Sequence, residues 1–219
     1  MEKRYDCIIV GAGPTGIYCA YELMKKAPNL KVLLVDRGND IYNRQCPILQ
    51  KKINKCPTDK NGHSGCRPSC SITTGFGGAG AFSDGKYNIT SEYGGWMGEY
   101  LDSSLLLELI KYVDQVNLEH GADSEITDPN TDAVKAIERK AIGAGLKLLR
   151  ARVRHLGTEK NLKIMKNIYE TMKGSVDYLF QTKIVNVIVK EGKAVGVEAE
   201  NGDRIHAEAV VLGVGREGA

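Results

Sequence analysis

The sequence predicts an α/β fold in which a parallel sheet is followed by a β-meander. Near the N-terminus, two short apolar runs flank a glycine-rich turn and a helical stretch, which is the order strand, helix, strand. Toward the C-terminus, four β-segments follow one another at about 177–182, 184–190, 193–200 and 204–214. Strands that alternate with helices favour a parallel sheet, and consecutive strands joined by tight turns favour a meander.

The first strand, Tyr5–Val10, runs into the glycine-rich sequence Gly11-Ala12-Gly13-Pro14-Thr15-Gly16. In a G-x-G-x-x-G turn of this kind each glycine has its own role. Gly11 permits the tight turn, Gly13 lets the backbone approach a pyrophosphate, and Gly16 lets the helix pack closely on the strand. The loop therefore predicts a Rossmann-like dinucleotide-binding unit.

The helix and the second strand complete this motif. The helix begins at Pro14, where a missing N–H is tolerated, and its first residues, including Thr15, would meet the pyrophosphate. The second strand ends at Asp36, 20 residues after the last glycine of the loop. Its carboxylate would accept hydrogen bonds from the ribose hydroxyls of an adenosine and would repel a 2′-phosphate. The loop alone leaves both FAD and NAD open.

The middle of the chain begins with an irregular, cysteine-rich loop over residues 39–74. A loop of this length in a compact domain is usually functional or disordered. It leads into the segment Gly75–Lys86, whose five glycines would let the backbone lie close to a flat or anionic ligand. Beyond it we expect helices over 103–119, about 131–144 and 158–172, and a strand over 146–153.

These stretches resemble the N-terminal part of the two-dinucleotide-binding-domain flavoproteins, in particular a bacterial and archaeal branch of FAD-dependent dehydrogenases. The resemblance rests on the first glycine loop, on Val35–Gly38, on the segment Gly75–Lys86, on Arg154–Thr158 and on the tail Ala207–Gly215. It implies that the dinucleotide is FAD. The residues that it assigns to the cofactor are Gly11, Gly13, Pro14, Thr15, Gly16, Asp36, Arg37, Gly77, Gly78, Ala79, Gly80, Ile184, Gly213 and Gly215.

The tail departs from the family pattern because Gly213 stands where alanine is usual. The resemblance also implies that residues 1–219 form an FAD/NAD(P)-binding domain and are the N-terminal portion of a longer flavoprotein. We therefore expect an incomplete fold whose missing C-terminal region would supply much of the substrate-facing wall, so this chain alone is expected to be inactive.

Four cysteines of the loop, Cys46, Cys56, Cys66 and Cys70, follow the spacing C-x9-C-x9-C-x3-C. Four thiolates could hold a zinc ion or an iron–sulfur cluster, with His63 as a substitute ligand. The alternative is that these cysteines bind no metal or serve as redox thiols.

The expected function is an FAD-dependent oxidoreductase that passes hydride or electrons between an unidentified small-molecule substrate and the flavin. In such enzymes the protein tunes and positions the cofactor. A basic group near the flavin N1–C2 carbonyl stabilises the reduced form, and either Lys86, the candidate catalytic residue, or the amide groups of the Ser83-Asp84-Gly85 turn could serve. The alternative for Lys86 is an ordinary surface lysine. Two other functions stay open: an NAD-binding dehydrogenase domain, and a non-catalytic metal- or redox-sensing module that uses the cysteine loop.

The composition of the chain limits the classes of partner that we expect. The formal net charge is +3 among 30 basic and 27 acidic side chains, and no basic stripe with interleaved aromatic residues suggests nucleic-acid binding. The sequence has neither a secretory signal nor an apolar run of membrane-spanning length. We therefore expect a cytoplasmic protein without a membrane partner, whose cysteines are reduced thiols or metal ligands. The expected redox function would in addition call for an electron-transfer partner.

Overall fold

The computed structural model describes residues 4–58 and 65–215. The chain divides into two compact units. The first combines Met1–Phe82 with Met165–Ala219, and the second is Ser83–Ile164.

The first unit is built on a six-stranded sheet with the order β5-β2-β1-β8-β7-β6. Its strands are β1 (Arg4–Val10), β2 (Val32–Val35), β5 (Val176–Leu179), β6 (Ile184–Lys190), β7 (Lys193–Ala199) and β8 (Arg204–Leu212). The strands β5, β2, β1 and β8 pair in parallel, whereas β8, β7 and β6 pair antiparallel as a meander. This arrangement confirms the predicted α/β class with a parallel sheet and a meander.

The parallel strands end in register. Val10 at the end of β1 lies opposite Val35 of β2 on one side and Leu212 of β8 on the other. The helix α1 (Pro14–Lys26) follows β1, and the last residues of α4 (Thr158–Met172) also belong to this unit. Because β2 and the second half of β1, residues 7–10, are buried on both faces, they read as continuous apolar runs.

The second unit contains an antiparallel pair of strands, β3 (Lys86–Ile89) and β4 (Arg152–His155), and two helices, α2 (Ser103–Glu119) and α3 (Asp132–Gly143). Its interior holds a bidentate ion pair, in which the Arg154 guanidinium donates to both carboxylate oxygens of Asp114 at 2.7 and 2.8 Å. Within the described ranges, no helix combines the length and apolar character that a membrane crossing requires.

The predicted helices agree with α2, α3 and α4, and Thr131 caps α3 by accepting the N–H of Val134. The predicted strand over 146–153 is wrong in its first part. Residues 146–151 form no strand, and β4 begins only at Arg152, where β3 offers it hydrogen-bonding partners. The apolar residues that suggested the alternation, Leu146 and Leu149, are exposed.

Candidate dinucleotide-binding site

A cavity of about 420 Å³ lies in the first unit at the carboxyl ends of β1, β2 and β8. In open α/β sheets, ligands bind at this edge. The residues that line the cavity come from six stretches of chain: Val10, Gly11, Gly13, Pro14, Thr15, Val35, Asp36, Arg37, Thr73, Thr74, Gly75, Gly78, Ala79, Thr182, Lys183, Ile184, Gly213, Val214 and Gly215.

Two glycines of the first loop are required by the fold itself. Gly11 has a φ of +101°, and a Cβ there would lie 2.4 Å from the carbonyl oxygen of Gly213. A Cβ on Gly16 would lie 1.9 Å from the carbonyl oxygen of Gly11. Both positions are therefore closed to a side chain by neighbouring backbone.

Gly13 differs from both of these glycines. Its φ of −75° is accessible to any residue, and a Cβ there would meet no protein atom within 4 Å. Gly13 lines the cavity at the N-terminus of α1, where backbone N–H groups favour an anion. Neither the backbone conformation nor the packing of the protein requires glycine at position 13. A ligand that approaches the backbone closely would require it.

Asp36 is buried at the end of β2. Its Oδ2 accepts the N–H of Ala12 at 2.8 Å, and its Oδ1 accepts the N–H of Gly38 at 2.7 Å. Each carboxylate oxygen has a second lone pair, so the carboxylate retains capacity for hydroxyl donors from the cavity. The Asp36 carbonyl also accepts the N–H of Thr182 at 3.0 Å, which brings the chain before Ile184 to the cavity.

Residues 75–80, which begin the glycine-rich segment Gly75–Lys86 and are called the second glycine segment from here on, pack directly on the first loop. The N–H of Gly77 donates to the carbonyl of Ala12 at 2.8 Å, and a Cβ on Gly78 would lie 3.2 Å from the Cα of Gly13. The segment is anchored by Phe76, which is fully buried and whose ring centroid lies 5.1 Å from that of Tyr169. It continues into a short 3₁₀ helix over Gly78–Phe82.

The structure thus brings most of the expected cofactor residues to one cavity. Those that line it are Gly11, Gly13, Pro14, Thr15, Asp36, Arg37, Gly78, Ala79, Ile184, Gly213 and Gly215, whereas Gly16, Gly77 and Gly80 lie outside the lining. Sequence reasoning missed Thr73 and Thr74 in the lining, whereas Gly75 belongs to the segment that it expected to lie close to a ligand. It also missed Arg44, whose buried side chain supports the part of the lining formed by residues 73–78. An arginine in a loop with many basic residues carries no periodic signal that would have marked it.

The four loop cysteines are free thiols, of which Cys56 is exposed and the other three are partly buried. Among residues 4–58 and 65–215, no three histidine, cysteine or acidic side chains are placed to share a metal ion. The geometry therefore gives the zinc or iron–sulfur hypothesis no support, and that hypothesis stays a prediction. His63 lies outside the described residues.

The cysteine pKa values differ by region. Burial raises the pKa of Cys7 and of Cys19, which flank the first loop on β1 and α1. Hydrogen bonding between Cys56 and the hydroxyl and backbone of Thr58 lowers the pKa of Cys56. At Cys70, burial favours a raised pKa, but hydrogen bonds from Thr73 and Ile72 and the charge of Arg44 outweigh it and lower the pKa.

Lys86, the candidate catalytic residue, belongs to the second unit. Its Nζ lies 2.6 Å from Oδ2 of Asp84, whose Oδ1 lies 2.8 Å from Nε2 of His155. Hydrogen bonds from Lys86 and His155 lower the pKa of the Asp84 carboxyl group. All three side chains are more than half exposed, so the Lys86 ammonium takes part in a solvated ion-pair cluster.

Comparisons with known proteins agree with this architecture. Residues 9–43 match the family described as NAD(P)-binding Rossmann-like domain. No sequence among curated proteins is significantly similar to the chain.

Three solved structures illustrate the similarity in fold. An L-amino acid deaminase from Proteus vulgaris matches with 16% identity and a TM-score of 0.51, over 97% of this chain and 47% of its own. A 3-ketosteroid-Δ4-(5α)-dehydrogenase from Rhodococcus jostii matches with 12% identity and a TM-score of 0.54, over 96% of this chain and 45% of its own. A quinol fumarate reductase from E. coli matches with 13% identity and a TM-score of 0.54, over 98% of this chain and 33% of its own.

The chain thus spans about half or less of the length of these structures. At such low identity the similarity shows the fold alone. The first unit therefore has a Rossmann-like fold, and the chain shares its fold with part of a deaminase, a dehydrogenase and a reductase.

Proposed function

We propose that the protein is an FAD-dependent oxidoreductase and that this chain forms its FAD-binding part. The observation that carries the proposal is the cavity in which Gly13, Asp36 and the second glycine segment meet at the ends of the parallel strands. When bound, FAD would supply the hydride- or electron-transfer chemistry with a small-molecule substrate.

The residues present fit the adenosine and pyrophosphate portions of FAD. The open space at Gly13 and the N-terminus of α1 suit a pyrophosphate that needs close backbone approach and N–H donors. The buried carboxylate of Asp36 suits ribose hydroxyls and disfavours a 2′-phosphate. The backbone at Thr182–Ile184 is available to the adenine.

A second candidate, an NAD-binding dehydrogenase domain, is favoured by the description of the matching family. We prefer FAD because residues 75–80 pack on the first loop and add a second glycine-rich wall to the cavity. Such a wall suits a dinucleotide that is held along its length as a resident cofactor.

The test compares Gly13→Ala with the native protein. The added Cβ enters the cavity without touching protein, so FAD affinity should fall by about tenfold or more, which is about 1.4 kcal/mol. The free energy of unfolding of the FAD-free protein should change by less than about 0.5 kcal/mol. FAD affinity is measured by flavin fluorescence titration, and unfolding by urea denaturation.

Gly143→Ala is the matched control, because it also adds a Cβ in open space but lies on α3, in the second unit. It should bind FAD like the native protein. Failure of the native full-length protein to bind FAD under mild conditions would contradict the proposal, and binding of NAD instead would establish the second candidate.

A further inference from the structure

Arg44 is a buried arginine whose side chain organises one wall of the cavity. It is 5% exposed, and its guanidinium donates four hydrogen bonds, all to backbone carbonyls of the described residues. Nε donates to Ser71 at 2.9 Å, Nη2 to Ile72 at 2.8 Å, and Nη1 to both Phe76 at 2.7 Å and Gly78 at 2.8 Å.

These four carbonyls bracket the cavity-lining part of the chain. Thr73, Thr74 and Gly75 lie between the two bonded stretches, and the lining resumes at Gly78. The side chain also fills the space inside this turn. Its Cδ would lie 3.1 Å from a Cβ on Gly75, and its Cζ lies 4.8 Å from the ring centroid of Phe82. The segment 71–82 is therefore folded around one side chain.

This arrangement needs the shape of a guanidinium. Arginine offers five donors in a rigid planar fork, and here four of them have separate acceptors. A lysine at this position would keep the charge but would have three donors on one nitrogen, which cannot reach carbonyls on two sides. The buried positive charge is also favourable for an anion in the adjacent cavity. Burial lowers the pKa of Arg44 to about 10, so the side chain stays protonated at neutral pH.

We propose that Arg44 is a positioning residue of the FAD site, which holds residues 71–78 in the conformation that lines the cofactor cavity. This inference rests on the proposed function.

The experiment compares Arg44→Lys with Arg204→Lys in the full-length protein. Arg204 is a matched control because it lies in the same unit but is exposed on β8, where it pairs with Glu198. FAD affinity is measured by fluorescence titration, and backbone hydrogen exchange is followed by mass spectrometry in the FAD-free protein.

We expect Arg44→Lys to weaken FAD binding by tenfold or more and to accelerate exchange in peptides that cover 71–82, with exchange in β6 and β7 unchanged. Arg204→Lys should match the native protein in both measurements. Native FAD affinity in Arg44→Lys, or exchange that accelerates equally in all peptides, would overturn the inference. If the native protein binds no FAD, it is the proposed function that fails.

A second measurement applies if Arg44→Lys does not fold. In the native protein, FAD should slow exchange in peptides covering 71–82 more than in those covering β7, which contributes none of the residues that line the cavity. Equal protection of the two regions would overturn the inference.

Discussion

The two glycine-rich segments of the cavity are held in different ways. The first, Gly11–Gly16, is fixed by the strand before it and the helix after it, so its geometry follows from local backbone structure. The second, Gly75–Gly80, follows residues 36–58 and 65–74, which form no helix or strand, and is held by the side chain of Arg44, which lies about 30 residues earlier in the sequence. One cavity therefore combines a wall specified by local backbone structure with a wall specified by a distant side chain.

The largest loss in the free energy of unfolding is expected for a substitution in the first glycine loop, which is specified locally. Gly16→Ala would place a Cβ 1.9 Å from the carbonyl oxygen of Gly11, and neither backbone can move without displacing α1 from β1. We expect a loss of about 3 kcal/mol or more in the free energy of unfolding. Urea denaturation of the FAD-free protein measures it.

Gly13→Ala is the control within the same loop, since its Cβ meets no protein atom within 4 Å. A stability loss at Gly13 as large as that at Gly16 would contradict the distinction between a glycine that the fold requires and one that a ligand requires.

Features that local sequence specifies could be predicted, whereas features that depend on distant residues could not. The hydrophobic runs of β1 and β2 and the spacing from Gly11 to Asp36 are local signals, and the elements that they predict are present. Arg44 could not be predicted, because its role depends on carbonyl groups about 30 residues away that the irregular loop brings together. The strand expected over 146–153 fails for a related reason, since alternation cannot supply a partner strand.

A smaller loss in the free energy of unfolding is expected for a substitution in the second glycine segment. Gly77 has a φ of +88°, and a Cβ there would lie 2.7 Å from the Cβ of the buried Ala81. Gly77→Ala should therefore cost about 2 kcal/mol, most of it from the left-handed backbone conformation. Thermal or urea unfolding of the FAD-free protein measures this loss.

Gly80→Ala is the matched control in the same segment. Its backbone is not in the left-handed region, and its Cβ would approach only Pro14, at 3.9 Å. Its stability should stay within about 0.5 kcal/mol of the native value. Equal losses at Gly77 and Gly80 would mean that the second segment resists substitution for some reason other than backbone conformation.

The smallest effect is expected in the reactivity of the cysteine thiols, which we compare between the irregular loop and the strand and helix that flank the first glycine loop. Because only the thiolate reacts with iodoacetamide, a thiol with a lowered pKa reaches its full rate at a lower pH. Cys70 and Cys56 should therefore be alkylated several-fold faster at pH 7 than Cys7 and Cys19, whose pKa values are raised by burial. Mass spectrometry of the alkylated peptides across a pH series measures each rate.

Arg44→Gln links this reactivity to the second wall. The positive charge of Arg44 contributes to the lowered pKa of Cys70, whereas Cys56 depends on Thr58. In the variant, the pH profile of Cys70 should move to higher pH, because less positive charge favours the protonated thiol, and the profile of Cys56 should stay in place. An unchanged Cys70 profile would show that the guanidinium does not act on this thiol, and that hydrogen bonds from Thr73 and Ile72 alone set its reactivity.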